Sequence, residues 1–452
     1  MKNRFLIVCL LVSFTSVYSQ DITGKWFGVL KMNKIELRID MNIVKTDSVY
    51  SSTMDSPDQG AKGIFVDSTE FKDSHFRFKI MKGNIEFKGV YTADNLIKGE
   101  FIQRGTSIPL EFGRVEFGLA EKRKPQDPIQ PYPYYSEEVK FKNKKEGISL
   151  AGTLTLPSKK GKFPVVVLIS GSGSQNRDEE ILGHKPFLVL SDYLTRNGVG
   201  VLRFDDRGSF KSEGDYKSST TQDFAEDVDA AIQYLMKRKE VDKKKVGLIG
   251  HSEGGVIAPI VAARSKNISF IVLMAGSAIP GGDLLLLQQE LIGRSQGVSE
   301  ENLSMIKTMN KGAYAIMSAN KDTSLLKIEL TNYYQPILQD EEMVELYVSQ
   351  LSSPWMSNFI VYDPRIVLSQ IKCPVLALNG EKDLQVPSKV NLESIRSILE
   401  INGNSDFTIK EIPSLNHLFQ ECETGSVAEY SSIEQTISPM VLAIISNWIK
   451  SK

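Results

Sequence analysis

The chain has 452 residues, 41% of them hydrophobic and 24% charged, with 33 Gly and 18 Pro, a balance that excludes a disordered or collagen-like polymer. Fifty-four basic against 55 acidic side chains leave a net charge of -1, so no overall positive field points to nucleic acid or an anionic membrane as partner. Three Cys and four His are too few for a disulfide scaffold or a soft-metal cluster, and neither metal nor cofactor is expected.

The first element is a leader. Met1-Lys2-Asn3-Arg4, the apolar run Phe5 to Val12 and the small residues Val17 and Ser19 form the basic, greasy and cleavable regions of a signal peptide over residues 1–19. Cleavage before Gln20 implies a soluble protein of the periplasm or the exterior, because no later apolar run reaches the roughly twenty residues that span a bilayer. It also removes Cys9, leaving Cys373 and Cys422 to bond or to stay free.

Residues 20–118 predict an all-β domain. Period-two alternation marks strands over 25–31, 35–43, 49–54, 63–71, 76–81, 85–91, 96–103 and 107–112, separated by turn pairs such as Asp94-Asn95 and Arg104-Gly105. Such strands close into a small antiparallel barrel or stack as a sandwich. Gly24-Lys25-Trp26 and the strand number resemble a lipocalin or related calycin barrel. Its interior holds either an apolar ligand or its own side chains, and no polar constellation there supports chemistry. Residues 119–135, charged and then proline-rich, read as an extended linker that Tyr132, Tyr134 and Tyr135 can anchor.

From residue 136 to 452 the rhythm changes to α/β. A hairpin is expected over 139–143 and 149–156, followed by short apolar runs at 165–170, 199–204, 246–250, 270–275 and 375–379 of the kind buried on both faces of a parallel sheet. Helices at 187–195 and 221–237 wrap it, and ligand sites in such sheets lie at the carboxyl ends of the strands. An insertion at about 280–364, with helices expected over 283–292, 300–309, 325–338 and 341–351, reads as a cap. Leu284, Tyr333, Trp355 and Phe359 are its candidate pocket-lining groups.

The chemistry is carried by Gly250-His251-Ser252-Glu253-Gly254, a G-x-S-x-G motif between a strand and a helix. Its glycines permit the sharp turn that lifts Ser252 above the sheet. A serine hydroxyl needs an oriented base, and an acid and a His follow in the required order. Asp383 stands in the turn after the 375–379 run, with Glu381 as competitor for the acid role, and His417 comes later as the base. Ser170-Gly171-Ser172-Gly173 after the first parallel strand offers main-chain amides, so that the oxyanion donors are expected at Ser172 and Glu253. No phosphate-binding glycine pattern occurs in this loop.

These motifs, with Arg203-Phe204-Asp205-Asp206-Arg207-Gly208 and Asn416-His417, resemble the α/β-hydrolase superfamily over residues 136–452. Within it they are similar to exported bacterial serine esterases of the EstD type and to serine-aminopeptidase-like hydrolases. The resemblance implies Ser252 as nucleophile, Asp383 as acid and His417 as base, with the amides of Ser172 and Glu253 in the oxyanion hole. It implies a structural role for Asp205, Arg207 and Gly208. The expected reaction is hydrolysis of small to medium uncharged acyl esters through an acyl-enzyme, without cofactor. A peptidase or aminopeptidase of the same fold is the alternative, and a lipid- or glycan-binding module is the reading from a different class.

Overall fold

The computed structural model describes residues 22–452 except 33–34, 48, 60, 93–95, 104, 115–122 and 321. The expected signal segment and the first residues of the expected linker lie outside the described residues. The chain forms two compact units, Met1–Leu119 and Ala120–Lys452.

In the first unit the described residues form nine strands: β1 (Gly24–Met32), β2 (Ile35–Thr46), β3 (Val49–Ser56), β4 (Ala61–Phe65), β5 (Ser68–Lys72), β6 (His75–Ile80), β7 (Ile85–Tyr91), β8 (Ile97–Gln103) and β9 (Thr106–Gly113). They make one antiparallel sheet in the order β4-β3-β2-β1-β9-β8-β7-β6-β5. Alternation sets its faces: in β6, Phe76, Phe78 and Ile80 point inward and His75, Arg77 and Lys79 outward. The sheet's two ends, β4 and β5, are consecutive in sequence, and the predicted single strand over 63–71 divides there. The curled sheet meets itself through side chains: the hydroxyls of Ser52 and Thr69 are 2.7 Å apart and the Tyr50 and Phe71 rings meet edge to face at 5.9 Å. A single curled sheet replaces the sandwich alternative. Its interior is filled by side chains, among them the fully buried Trp26, Phe76, Phe78, Phe87 and Phe112. Trp26 donates its indole N–H to Ile22 O at 2.7 Å, beneath the Arg114 guanidinium.

In the second unit, Gln126 accepts from the amides of Thr436 and Ile437, and the Tyr134 hydroxyl donates to Asp192, so the proline-rich segment is docked on the unit that follows it. Eight strands follow: β10 (Tyr135–Asn143), β11 (Ile148–Leu156), β12 (Phe163–Ile169), β13 (Gly200–Phe204), β14 (Val241–His251), β15 (Phe270–Met274), β16 (Val375–Gly380) and β17 (Phe407–Ile412). Their order is β10-β11-β13-β12-β14-β15-β16-β17; β11 pairs antiparallel with both neighbours and all later pairings are parallel.

Both faces are covered, which is why the strands read as continuous apolar runs. On β12, Val165, Val167 and Ile169 pack under α2 (Thr221–Leu235) and α3 (Gly254–Arg264), a layer that α9 (Pro364–Leu368) and α10 (Ser388–Ile401) complete. Val166 and Leu168 face the opposite layer, α1 (Pro186–Arg196) and α11 (Pro439–Lys450). The insertion is helical: α4 (Gly281–Ser295), α5 (Glu300–Ala319), α6 (Thr323–Leu338), α7 (Glu341–Leu351) and α8 (Pro354–Val361), with its own core around Tyr314, Leu330 and Tyr334. Helix α5 runs ten residues beyond the predicted end at 309, because two residues that blur its apolar period have inward roles. Asn310 donates to Gln289 at 2.6 Å, and Gly312 leaves the space that the Tyr333 hydroxyl fills.

Candidate active site

The turn between β14 and α3 is built by close approach. A Cβ on Gly250 would stand 1.9 Å from Gly254 O, one on Gly254 2.1 Å from Ile169 O, and one on Gly255 2.5 Å from Gly276 Cα. Ser252 occupies the left-handed region at φ 53°, a strained conformation for serine, and its N–H donates to Met274 O at 2.9 Å. Helix α3 starts two residues later, so its N-terminal amides and positive dipole end lie under this turn.

Beyond β16, Asp383 is buried and both its carboxylate oxygens are engaged. Oδ1 accepts the amides of Gln385 and Val386 at 2.8 and 2.9 Å, and Oδ2 lies 2.8 Å from Nδ1 of His417. A carboxylate only accepts, so Nδ1 carries the hydrogen, and in the neutral ring it is Nε2 that has the lone pair. The His417 loop is fixed by Asn416, whose Oδ1 accepts the amides of Leu418 and Gln420 at 3.0 Å each. Glu381, the competitor, accepts the Ser414 amide at 3.0 Å instead. His251, the residue before Ser252, brings the two loops together, its ring centroid standing 4.8 Å from that of His417.

The loop after β12 closes the group. A Cβ on Gly171 would lie 3.2 Å from Ser252 Cβ, so this loop passes directly over the serine. The Gly171 amide is taken by Glu179 at 2.7 Å, whereas among the described residues no protein acceptor takes the amide of Ser172 or of Glu253. Below it, Asp206 accepts from Ser170 Oγ at 2.7 Å and Gln175 N at 2.9 Å, and burial pushes its carboxyl up to about 8. A small gap lies here, lined by Gly171, Gly173, Phe204, Asp206 and Glu253 among others.

The cap candidates separate. Leu284 and Phe359 pack with Val386, whose amide holds Asp383, and Trp355 stacks on Phe359 at 5.0 Å. Tyr333 is not brought to this group: its hydroxyl donates to Met309 O at 3.0 Å and its ring packs in the cap's own core. Cys373 and Cys422 are free thiols. Asp205 accepts the Arg177 guanidinium at 3.0 and 2.8 Å, Arg207 donates to Asp227 at 2.6 Å, and Gly208 takes φ 67°, so these three brace the loop after β13. Glu146, Asp223 and Glu226 are close enough to share an ion, yet Lys145 pairs with Glu226 and Arg207 with Asp223. Sequence reasoning missed Glu179 and Asp206 as members of the site. Asp206 stood within a motif already singled out, whereas Glu179 lies in a loop whose local pattern carries no signal.

The strand order, the antiparallel second strand and the glycine-built turn at the carboxyl end of β14 are those of the α/β-hydrolase fold. Residues 226–421 match the family described as BAAT / Acyl-CoA thioester hydrolase C terminal. The chain is similar to Esterase EstD of Thermotoga maritima, 23% identical over 380 residues that cover 84% of this chain and 80% of that protein. Among solved structures it is similar to the Pyrococcus furiosus esterase Pf2001 (15% identity, TM-score 0.43, 70% of this chain and 93% of the other). A second is the alpha/beta hydrolase GrgF from Penicillium sp. sh18 (16%, 0.44, 70% and 98%). The protein is a hydrolase. Among the described residues no helix is long and apolar enough to cross a membrane.

Proposed function

We propose that the protein is a carboxylic-ester hydrolase that works through Ser252, His417 and Asp383. The observation that carries this reading is the 2.8 Å contact of Asp383 Oδ2 with His417 Nδ1, which leaves Nε2 as a base at the strand ends where Ser252 stands on its strained turn. Nε2 of His417 takes the Ser252 proton as Oγ attacks the ester carbonyl, and the amides of Ser172 and Glu253 receive the charge that develops on oxygen. The imidazolium returns the proton to the leaving alcohol. Water, activated by the same base, then cleaves the acyl-enzyme. Similarity to a protein named an esterase supports the ester as substrate.

A thioester is the second reading, supported by the family description matched over residues 226–421, since the same machinery expels a thiolate. The peptidase reading needs a carboxylate free to hold a substrate amine. Glu253 gives it little support, because its Oε1 already accepts from Thr221 and Trp355. The binding-module reading likewise finds little in a β unit whose interior is packed with side chains.

A chain-length series of aryl esters, run beside aryl thioesters and aminoacyl arylamides, separates the three enzyme readings and sizes the acyl pocket. Short to medium esters are expected to be turned over fastest, and Ser252→Ala to abolish turnover and labelling by an aryl phosphonate. Preferential cleavage of arylamides, or full activity in Ser252→Ala, sinks the assignment. We also propose that the enzyme acts outside the cytoplasm, on the strength of the basic, apolar and small-residue order of residues 1–19. An exported protein beginning at Gln20 on N-terminal sequencing is the expected result; an intact Met1 overturns it.

A further inference from the structure

One buried pair beside Ser252 has no part in this chemistry. His251 is 6% exposed, and both its ring nitrogens meet oxygen: Nδ1 lies 3.0 Å from Oε1 of Glu179, and Nε2 lies 3.0 Å from the backbone O of His417. A carbonyl oxygen only accepts, so Nε2 carries a hydrogen. A neutral ring would then turn a bare Nδ1 toward the carboxylate of Glu179, which is 5% exposed and, among the described residues, is paired with neither Lys nor Arg. Two acceptors facing each other out of water are strongly unfavourable.

We infer that His251 is a doubly protonated imidazolium paired with Glu179, and that the pair is a positioning device that fixes the 170–173 amide loop and the His417 backbone against the Ser252 turn. The inference rests on the serine-hydrolase reading above. Oε1 of Glu179 holds the Gly171 amide as well as the ring, so one oxygen ties the loop over the serine to the residue before it. At its other nitrogen the ring holds the loop that carries His417. Three segments distant in sequence are thereby registered through two side chains.

The surroundings keep the pair dry. Phe187 and Leu190 of α1, Met274 of β15, and Leu418, Phe419 and Ile437 line the small apolar gap beside it. The titratable groups that face the pair are His417 and Asp383 on the loops after β17 and β16, and Asp206 near Glu179; α1 and β15 present only apolar side chains. Burial alone would push His251 below the ordinary imidazole value, but the charge and hydrogen bond of Glu179, with the His417 carbonyl, outweigh it and hold the ring above that value. The sign follows. A raised value means the pair is complete below about pH 6.5, the ordinary imidazole value, and is lost as pH rises through the folded value. Activity therefore carries an alkaline limb that belongs to this pair.

The test is kcat and KM against pH for a short aryl ester, in the wild type and in Glu179→Gln, beside ¹⁵N NMR of histidine-labelled wild-type protein. Glutamine can present one oxygen to the same two donors, but it has no charge to hold the second ring proton. Glu179→Gln is expected to lower kcat about tenfold with KM changed less than about twofold, and to lose the alkaline limb. Glu179→Asp, which keeps the charge, is expected to restore that limb in part. The NMR is expected to show hydrogen on both His251 nitrogens at neutral pH, and it decides the matter even where the variants fail to fold. A bare Nδ1 at neutral pH, or a Glu179→Gln enzyme with wild-type kcat and an unaltered alkaline limb, overturns the proposal. Labelling of Ser252 by an aryl phosphonate keeps the two readings apart: a labelled protein with an indifferent Glu179→Gln loses only the positioning pair, and an unlabelled one loses the serine-hydrolase reading.

Discussion

The indole N–H of Trp355, on cap helix α8, donates at 2.8 Å to Oε1 of Glu253, the residue that follows Ser252. The same oxygen accepts from Thr221 Oγ1, at the start of α2, at 2.7 Å. The cap, helix α2 and the residue proposed to donate one oxyanion amide thus share a single carboxyl oxygen. Burial holds this carboxyl above its ordinary range, and the two donors work against that shift. Replacing Trp355 by Phe removes a donor while keeping an aromatic ring to stack on Phe359. We expect a loss of about 1–2 kcal/mol in stability and about a tenfold fall in kcat/KM, read by chemical denaturation and ester kinetics. A variant with wild-type melting and wild-type kcat/KM shows that the bond neither holds the cap nor the turn.

Asp383→Asn isolates the orientation of His417. The Asn oxygen can still accept the Gln385 and Val386 amides, so the loop is expected to hold its place and the melting temperature to change little. Its NH₂ then faces Nδ1, which must become the acceptor, and the proton moves to Nε2, where the mechanism needs a lone pair. The expected fall in kcat is on the order of 10⁴-fold, the size seen when such an acid becomes an amide in a serine protease. An activity within tenfold of wild type would assign the acid role elsewhere.

Gly254→Ala tests the turn itself. The added Cβ would meet Ile169 O at 2.1 Å and Ser170 O at 2.8 Å, both backbone atoms that cannot swing aside. Accommodation requires β12 or α3 to move, with an expected loss of about 3 kcal/mol in chemical denaturation and of phosphonate labelling at Ser252. Normal stability together with normal labelling contradicts the close approach.

How much of this was legible in the sequence depended on whether a signal was local. The turn at Ser252 was readable because its glycines are demanded by contacts between neighbours in the chain, and the buried strands because both faces of the second sheet are covered. Asp383 and His417 could be named from chain order, but not their 2.8 Å contact, which forms across 34 residues. Glu179 was invisible because its partners are Gly171 on one side and His251, 72 residues away, on the other. Tyr333 misled for the same reason: an aromatic on a cap helix reads alike whether it faces the site or, as here, the space left by Gly312. In the β unit, the 63–71 run reads as one strand, and it divides where the two ends of the curled sheet meet.

Asp206 offers a test through pH. It is buried beneath the amide loop beside Glu253 and Glu179, and burial raises its carboxyl to about 8 against the bonds from Ser170 and Gln175 that pull it down. A raised carboxyl binds its proton more tightly in the folded protein, so its stabilising contribution is complete below the ordinary value of 3.8 and is lost as pH rises through about 8. Below about pH 8 the buried group is therefore held as the acid, with Ser170 Oγ bonded to one of its oxygens and the Gln175 amide to the other. Asparagine can make the same two bonds and never ionises. Asp206→Asn should match the wild type near pH 4 and become progressively more stable than it toward pH 9, as measured by denaturation at pH 5, 7 and 9. A variant that follows the wild-type pH slope, or that is the less stable of the two at pH 9, shows that the loop needs the carboxylate and not the acid.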